Sequence, residues 1–212
     1  MDDPGSKATW RRRIREHRRA RTTTPGAATA RIADARTLAD HVLARLGPGR
    51  DARGVPAIVA VYQSLPTEPP TTVLLHELLR RRRTVLLPVL LPDRDLSWRA
   101  LGGPDPDPAA TLDPCAAAAA ALIIVPALAV DRVGTRLGQG GGSYDRALAR
   151  VPEGIPIVAL LYDDEALLGA HDELLPRQAH DRPVTAVVTP GGGWRSLTDG
   201  PRPPGHVDGP PR

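Results

Sequence analysis

Five short apolar runs limit this chain to a narrow choice of folds: Ala57–Tyr62, Thr84–Leu87, Leu122–Val125, Ile157–Leu161 and Ala186–Thr189. Each is nearly continuous in Val, Ile, Leu and Ala, the pattern of strands covered on both faces rather than one. Helical spacing fills the intervals. Lys7–Arg21 is one such stretch. Ala27–Leu46 is another, with Ile32, Leu38, Val42, Leu43 and Leu46 near helical spacing and Gly47-Pro48-Gly49 as a stop signal. Thr71–Arg82 sets Val73, Leu74, Leu78 and Leu79 on one face, and Asp113–Ala121 reads as a helix by composition. Strands alternating with helices predict an α/β fold: a single domain with a largely parallel central sheet and helices on both faces. A chain of 212 residues is long enough for one such core and short for two.

From Pro190 onward the sequence turns to Gly, Pro and Arg. Such a stretch buries too little apolar surface to offset its ordering entropy, so 1–189 reads as the α/β domain and 190–212 as a disordered tail. Gly102–Pro108 reads as a surface loop for the same reason. Composition is biased throughout: Phe is absent, and Lys7 is the only lysine among 28 basic residues. Runs of Ala, Gly, Pro or Arg therefore carry less information here than elsewhere. The single cysteine, Cys115, excludes an intrachain disulfide framework and fits a reducing compartment. The longest apolar stretch, Cys115–Val130, is broken by Pro126 and falls short of the roughly 20 residues a membrane span requires. The charged N-terminus lacks the apolar centre of a secretion signal. A cytoplasmic monomer with no membrane partner is expected. Net charge is only +4, yet Arg11–Arg21 and Arg80–Arg83 are densely basic. Counterion release would draw such arms to nucleic acid. Without interleaved aromatic residues or a nucleic-acid module, nucleic acid is not the expected partner.

The chemistry concentrates in Val125–Arg146. This segment leaves a predicted strand at Val125, crosses the glycine-dense loop Gly138-Gln139-Gly140-Gly141-Gly142, and enters a predicted helix near Ser143. Ligands of open α/β sheets collect at the carboxyl ends of strands. Glycines let backbone amides approach phosphate oxygens, and a helix start adds partial positive charge. Arg136 is suited to clamp an anion through two bonds, and Asp145 offers a hard oxygen for Mg²⁺. The loop is neither a Walker A motif, since no Gly-Lys-Ser/Thr follows, nor a Rossmann fingerprint, since Ser143 stands where the third glycine belongs.

Taken with its flanks, Gly134-x-Arg136-Leu137-Gly138-x-Gly140-x-Gly142, then Ser143, Tyr144 and Asp145, the segment resembles the signature of the 5-formyltetrahydrofolate cyclo-ligase family. The resemblance runs from about Lys7 to Thr189. It implies that Lys7 and Arg11, matching Lys-x-x-x-Arg, bind ATP phosphates together with Arg136 and the stretch Leu137–Tyr144 (Leu137, Gly138, Gln139, Gly140, Gly141, Gly142, Ser143 and Tyr144). Tyr62 and Glu68, in a stretch similar to Tyr…Glu-Pro-x-Thr, are implied to contact the folate, along with Gly142 and Ser143. Leu175-Pro176…His180-Asp181…Pro183-Val184 resembles a third family segment, with Asp145 and Asp181 as implied Mg²⁺ ligands. The Arg80–Arg83 cluster is a candidate for the polyglutamate tail. His171-Asp172 looks like an insertion without a role.

The implied reaction is ATP + 5-formyltetrahydrofolate → ADP + phosphate + 5,10-methenyltetrahydrofolate, by phosphoryl activation of the formyl oxygen. The sequence departs from the family at Ser143, usually aromatic, at Gln139, often larger or basic, and at Thr185, frequently Asp. These departures keep open a same-fold ATP-dependent enzyme acting on another amide or carboxylate.

Overall fold

The computed structural model describes residues 6–47, 57–102, 110–169, 174–178 and 181–197. The strands are β1 (Ile58–Val61), β2 (Thr84–Leu90), β3 (Leu96–Leu101), β4 (Leu122–Pro126), β5 (Ala129–Asp131), β6 (Arg136–Leu137), β7 (Ile157–Leu160), β8 (Ala166–Leu167), β9 (Ala186–Thr189) and β10 (Gly193–Ser196). The helices are α1 (Lys7–Thr23), α2 (Ala27–Leu43), α3 (Thr72–Arg80) and α4 (Ser143–Ala149).

Seven strands form the central sheet in the order β10-β9-β7-β4-β1-β2-β3. β9, β7, β4, β1 and β2 run parallel, and antiparallel β3 and β10 form the two edges. Burial follows the strand period. Val59, Ile124 and Val158 pack with Leu38 and Val42 of α2 and Leu74 of α3, while their neighbours Ala60, Ile123 and Ala159 pack with Leu148 of α4 on the opposite face. The continuous apolar runs are thus explained by a sheet covered twice. Each Leu or Val buried in this way is worth about 1.5–3 kcal/mol relative to exposure, so this double layer is the main source of stability.

A second small sheet, β6-β5-β8, stands beside the first. It is the seat of α1. Ser6 caps that helix by accepting the Thr9 amide at 3.3 Å, and Trp10 and Ile14 bury against Leu128 and Leu137. Lys7 and Arg11 are left on the adjacent stripe.

Three expectations change. Asp113–Ala121 holds only a 3-10 turn at Ala116–Ala119, because Pro114 stands near its start and the chain must enter β4 at Leu122, leaving too little length for a helix. The tail expected from Pro190 instead contains β10. Asp163 Oδ1 accepts the Gly191 amide at 2.9 Å and the Gly192 amide at 3.1 Å, which reverses the chain and sets Trp194 opposite Val188. β2 runs on through Pro88 to Leu90, since β1 stops pairing at Leu86 and the missing Pro88 amide faces no neighbour there. Residues 198–212, like Gly49 and 103–108, lie outside the described residues.

Candidate active site

From β1 the chain turns to β2 on one side and later to β4 on the other, so the strand order reverses between β1 and β4. A crevice opens beyond the carboxyl ends of strands at such a point. Here it is a cavity of about 710 Å³. Leu65 and Glu68 line it after β1, Pro88 and Leu90 at the end of β2, and Pro126 and Ala127 at the end of β4. The rest of its lining is Lys7 and Arg11 of α1 and the run from Arg136 to Asp145, with Gln178 and Asp181.

That wall is set by backbone as much as by side chains. A Cβ at Gly138 would stand 2.8 Å from Arg136 Nη1, and one at Gly140, where φ is +102°, would stand 3.3 Å from Arg11 Cζ. Glycine is therefore what lets two guanidinium groups lie along the loop. Arg11 Nε donates to the Gly138 carbonyl at 2.9 Å. Burial, and then the neighbouring Arg15 charge, draw the Arg11 pKa below its ordinary value. Arg136 is 8% exposed; Nη1 donates to the Pro126 carbonyl at 3.3 Å and Nη2 to Asp145 Oδ1. Lys7 Nζ meets Asp181 Oδ2 at 2.9 Å, and the same oxygen accepts the Gln178 amide at 2.8 Å. Two polar atoms of this wall, Arg136 Nε and the Tyr144 hydroxyl, are buried with no protein partner. Burial pushes the Tyr144 phenol above its ordinary value, so it stays a neutral donor at physiological pH. Both atoms are sealed behind the wall rather than open to the cavity, so they strain the packing of the loop instead of facing a ligand.

The sequence profile of the 5-formyltetrahydrofolate cyclo-ligase family matches residues 3–190. The chain belongs to this family. The 5-formyltetrahydrofolate cyclo-ligase of Mycolicibacterium smegmatis is 37% identical over 151 residues, which cover 62% of this chain and 73% of that protein. The Escherichia coli K12 cyclo-ligase is 32% identical over 160 residues, covering 64% and 79%. The NMR structure of Aquifex aeolicus 5,10-methenyltetrahydrofolate synthetase superposes with a TM-score of 0.63 at 26% identity, over 94% of this chain and 97% of that one. The Mycoplasma pneumoniae 5,10-methenyltetrahydrofolate synthetase, at 15% identity and TM-score 0.64 over 85% and 96%, shares the fold.

Against this cyclo-ligase frame, the cavity brings together Lys7, Arg11, Glu68, Arg136, the stretch from Leu137 to Tyr144, Asp145 and Asp181. Tyr62 is not among them. It is 3% exposed in the core beneath the loop, and its hydroxyl donates to the Pro69 carbonyl at 2.8 Å. Glu68 is 5% exposed, with Oε2 accepting the Leu65 amide at 2.9 Å. Gln139 is steadied by Arg15, which donates to its side-chain and main-chain oxygens at 2.9 Å each. Of the basic stretch of α1, Arg11 and Arg15 are thus engaged with the site, while Arg13 lies over Trp10, Arg18 pairs with Glu165 and Arg21 with Asp34. Thr185 lies away from the cavity and exchanges hydrogen bonds with the Ile157 main chain, both at 3.0 Å. Arg80 pairs with Glu77 on its own helix and Arg83 reaches the Gly47 carbonyl, so neither joins the cavity. His180 and His171-Asp172 fall outside the described residues.

Sequence reasoning missed the aliphatic wall of Leu65, Pro88, Leu90 and Leu96, and also Gln178. Gln178 had a signal, lying inside the segment that carries Asp181. Leu65 had the same kind of signal, lying between Tyr62 and Glu68, whereas Leu90 and Leu96 had none, since nothing local distinguishes them from core residues. Among the described residues no three His, Cys, Asp or Glu side chains converge as a metal centre.

Proposed function

We propose that this chain converts 5-formyltetrahydrofolate and ATP to 5,10-methenyltetrahydrofolate, ADP and phosphate. The observation that carries this function is one cavity holding three cations, Lys7, Arg11 and Arg136, on its glycine wall, and the buried carboxylate Glu68 beside an apolar wall. The formyl carbonyl of an N-formyl amide is a poor electrophile, and hydroxide is a poor leaving group. Moving the γ-phosphoryl group to the formyl oxygen solves both problems. N10 then attacks the activated carbon and phosphate departs. Such a transfer needs positioning and charge neutralisation more than covalent chemistry from the protein. Lys7, Arg11 and Arg136 hold the phosphate oxygens. Glu68 accepts hydrogen bonds from the pterin N–H groups, and the aliphatic wall covers the ring. No protein nucleophile takes part.

The donor set fits Mg²⁺, which takes one or two carboxylates and completes its shell with phosphate oxygens and water. Asp145 and Asp181 line the cavity and would hold it, sharing their charge with Arg136 and Lys7. When bound, the ion neutralises phosphate charge. Among the described residues no helix is long and apolar enough to cross a membrane, which is compatible with a cytoplasmic location.

The test is to mix purified protein with Mg-ATP and 5-formyltetrahydrofolate and record methenyl absorbance. Methenyl product dependent on both substrates is expected. ATP turnover with another amide or carboxylate and none with the folate would replace this function by that of a same-fold ligase. Ser143 on the cavity wall, where an aromatic residue is usual, favours that second reading.

A further inference from the structure

The cations of α1 and the Glu68 loop are joined through the interior by a chain of hydrogen bonds that does not itself line the cavity. Arg18 and Glu165 are each 2% exposed. Arg18 Nε donates to Glu165 Oε1 at 2.6 Å, and Nη2 donates to Glu165 Oε2 at 2.8 Å and to the Ala127 carbonyl at 2.6 Å. Glu165 Oε2 also accepts the Tyr162 amide at 3.0 Å. The Tyr162 hydroxyl, at the far end of that side chain, donates to the Glu68 carbonyl at 3.2 Å, where Arg31 Nη1 also arrives at 2.6 Å. Three parts of the cavity meet here: α1, the Pro126–Ala127 wall and the Glu68 loop.

Burial opposes the charge of Arg18, and the two-point bond to Glu165 outweighs it, leaving the guanidinium pKa raised; the same burial pushes the Glu165 carboxyl upward against the pull of Arg18. Well-packed apolar side chains often stabilise a fold as much as a buried ion pair, or more. What the pair adds is direction, because a guanidinium fork and a carboxylate meet in one geometry. Trp10 and Ile14 hold α1 by apolar contact, which is non-directional. A slide of one residue along the helix axis, about 1.5 Å, would preserve much of that contact and break both bonds to Glu165.

We propose that Arg18, Glu165 and Tyr162 are positioning residues, which set Lys7 and Arg11 of α1 at a fixed distance from Glu68 and so align the phosphate-binding side chains with the ring-binding carboxylate. The kinetic consequences rest on the proposed reaction; the structural ones do not.

The experiment compares Tyr162→Phe, the double variant Arg18→Met/Glu165→Leu, and Leu78→Val in the buried face of α3 as a control for lost packing. Tyr162→Phe is expected to lower Tm slightly, as loss of one buried hydrogen bond should, to keep the nucleotide KM and to raise the folate KM about fivefold. The double variant leaves the Ala127 carbonyl and the Tyr162 amide without these partners, so its Tm is expected to fall modestly. Its kcat should fall about 100-fold, since misplacement of about 1 Å has that effect. Leu78→Val should lower Tm without altering either KM. Hydrogen exchange gives a readout free of activity: the Leu65 and Glu68 amides should exchange faster in Tyr162→Phe while β4 amides keep their wild-type rates. Wild-type kinetics in a folded double variant, or unchanged exchange at Leu65 and Glu68 in Tyr162→Phe, would overturn the proposal. If the double variant does not fold, the Tyr162→Phe arm decides alone. If wild-type protein forms no methenyl product, the proposed reaction fails, and the exchange rates still decide the positioning role.

Discussion

The two walls of the cavity are held by different physics. On the glycine wall each charged group has a set place: Lys7 on Asp181, Arg11 on the Gly138 carbonyl, and Arg136 between Pro126 and Asp145. On the aliphatic wall Leu96 is buried, while Leu65 and Leu90 are 59% and 65% exposed. Charge neutralisation is directional and works best when donors need not reorganise during the reaction. Apolar contact is non-directional, so side chains exposed in the free protein can supply it once a ligand covers them. The difference teaches that this site is pre-organised on its cationic side and left to be covered on its aliphatic side.

That contrast can be broken most sharply at Arg136. Arg136→Lys keeps the charge and loses the planar fork, and kcat/KM should fall about 100-fold; wild-type turnover would mean that the glycine wall needs a charge and no geometry. Asp145→Asn should raise the Mg²⁺ concentration for half-maximal rate about 10–100-fold, read from a magnesium titration at saturating ATP. Gly140→Ala places a side chain at φ +102° against Arg11. It should raise the nucleotide KM about tenfold, and an unchanged KM would show that the loop does not need its present path. Leu90→Ala tests the other wall: the folate KM should rise about threefold to tenfold while nucleotide KM and Tm stay put, because this leucine is exposed until ligand covers it.

The smallest effect belongs to Asp163, remote from both walls. Burial raises its pKa, but hydrogen bonds from Thr189, Gly191 and Gly192 outweigh that and leave it below the ordinary value. Its stabilising contribution is therefore present above the unfolded carboxylate pKa and is lost as pH falls through the lower folded one. The Tm gap between wild type and Asp163→Asn should be open at neutral pH and narrow in acid, with both KM values unchanged. A gap constant with pH would remove the charge from the account.

β1, β2, β4, β7 and β9 were legible because burial on both faces writes an unbroken apolar run into the sequence. β5, β6 and β8 are two or three residues long, too short to show any period. β10, with Trp194 and Arg195 among glycines, is a strand only because β9 and the turn around Asp163 offer it partners. Arg136, the glycines and Asp145 were legible as a group since they are neighbours along the chain. Tyr62 was drawn toward the ligand by its position in a motif, yet its ring faces the core.

By itself the sequence determined the layered α/β class, the glycine loop ahead of α4 and most of the polar lining, since each is a matter of spacing between residues close in the chain. It did not show that β5 and β6 stand between β4 and this loop. Only the tertiary structure decided that Leu65 and Leu90 form a wall, that Thr185 does not touch the cavity, and that Arg18 finds Glu165 across 147 residues. Such pairings depend on how finished elements dock, and docking is settled by buried surface and bond direction across the whole core, which no local period records.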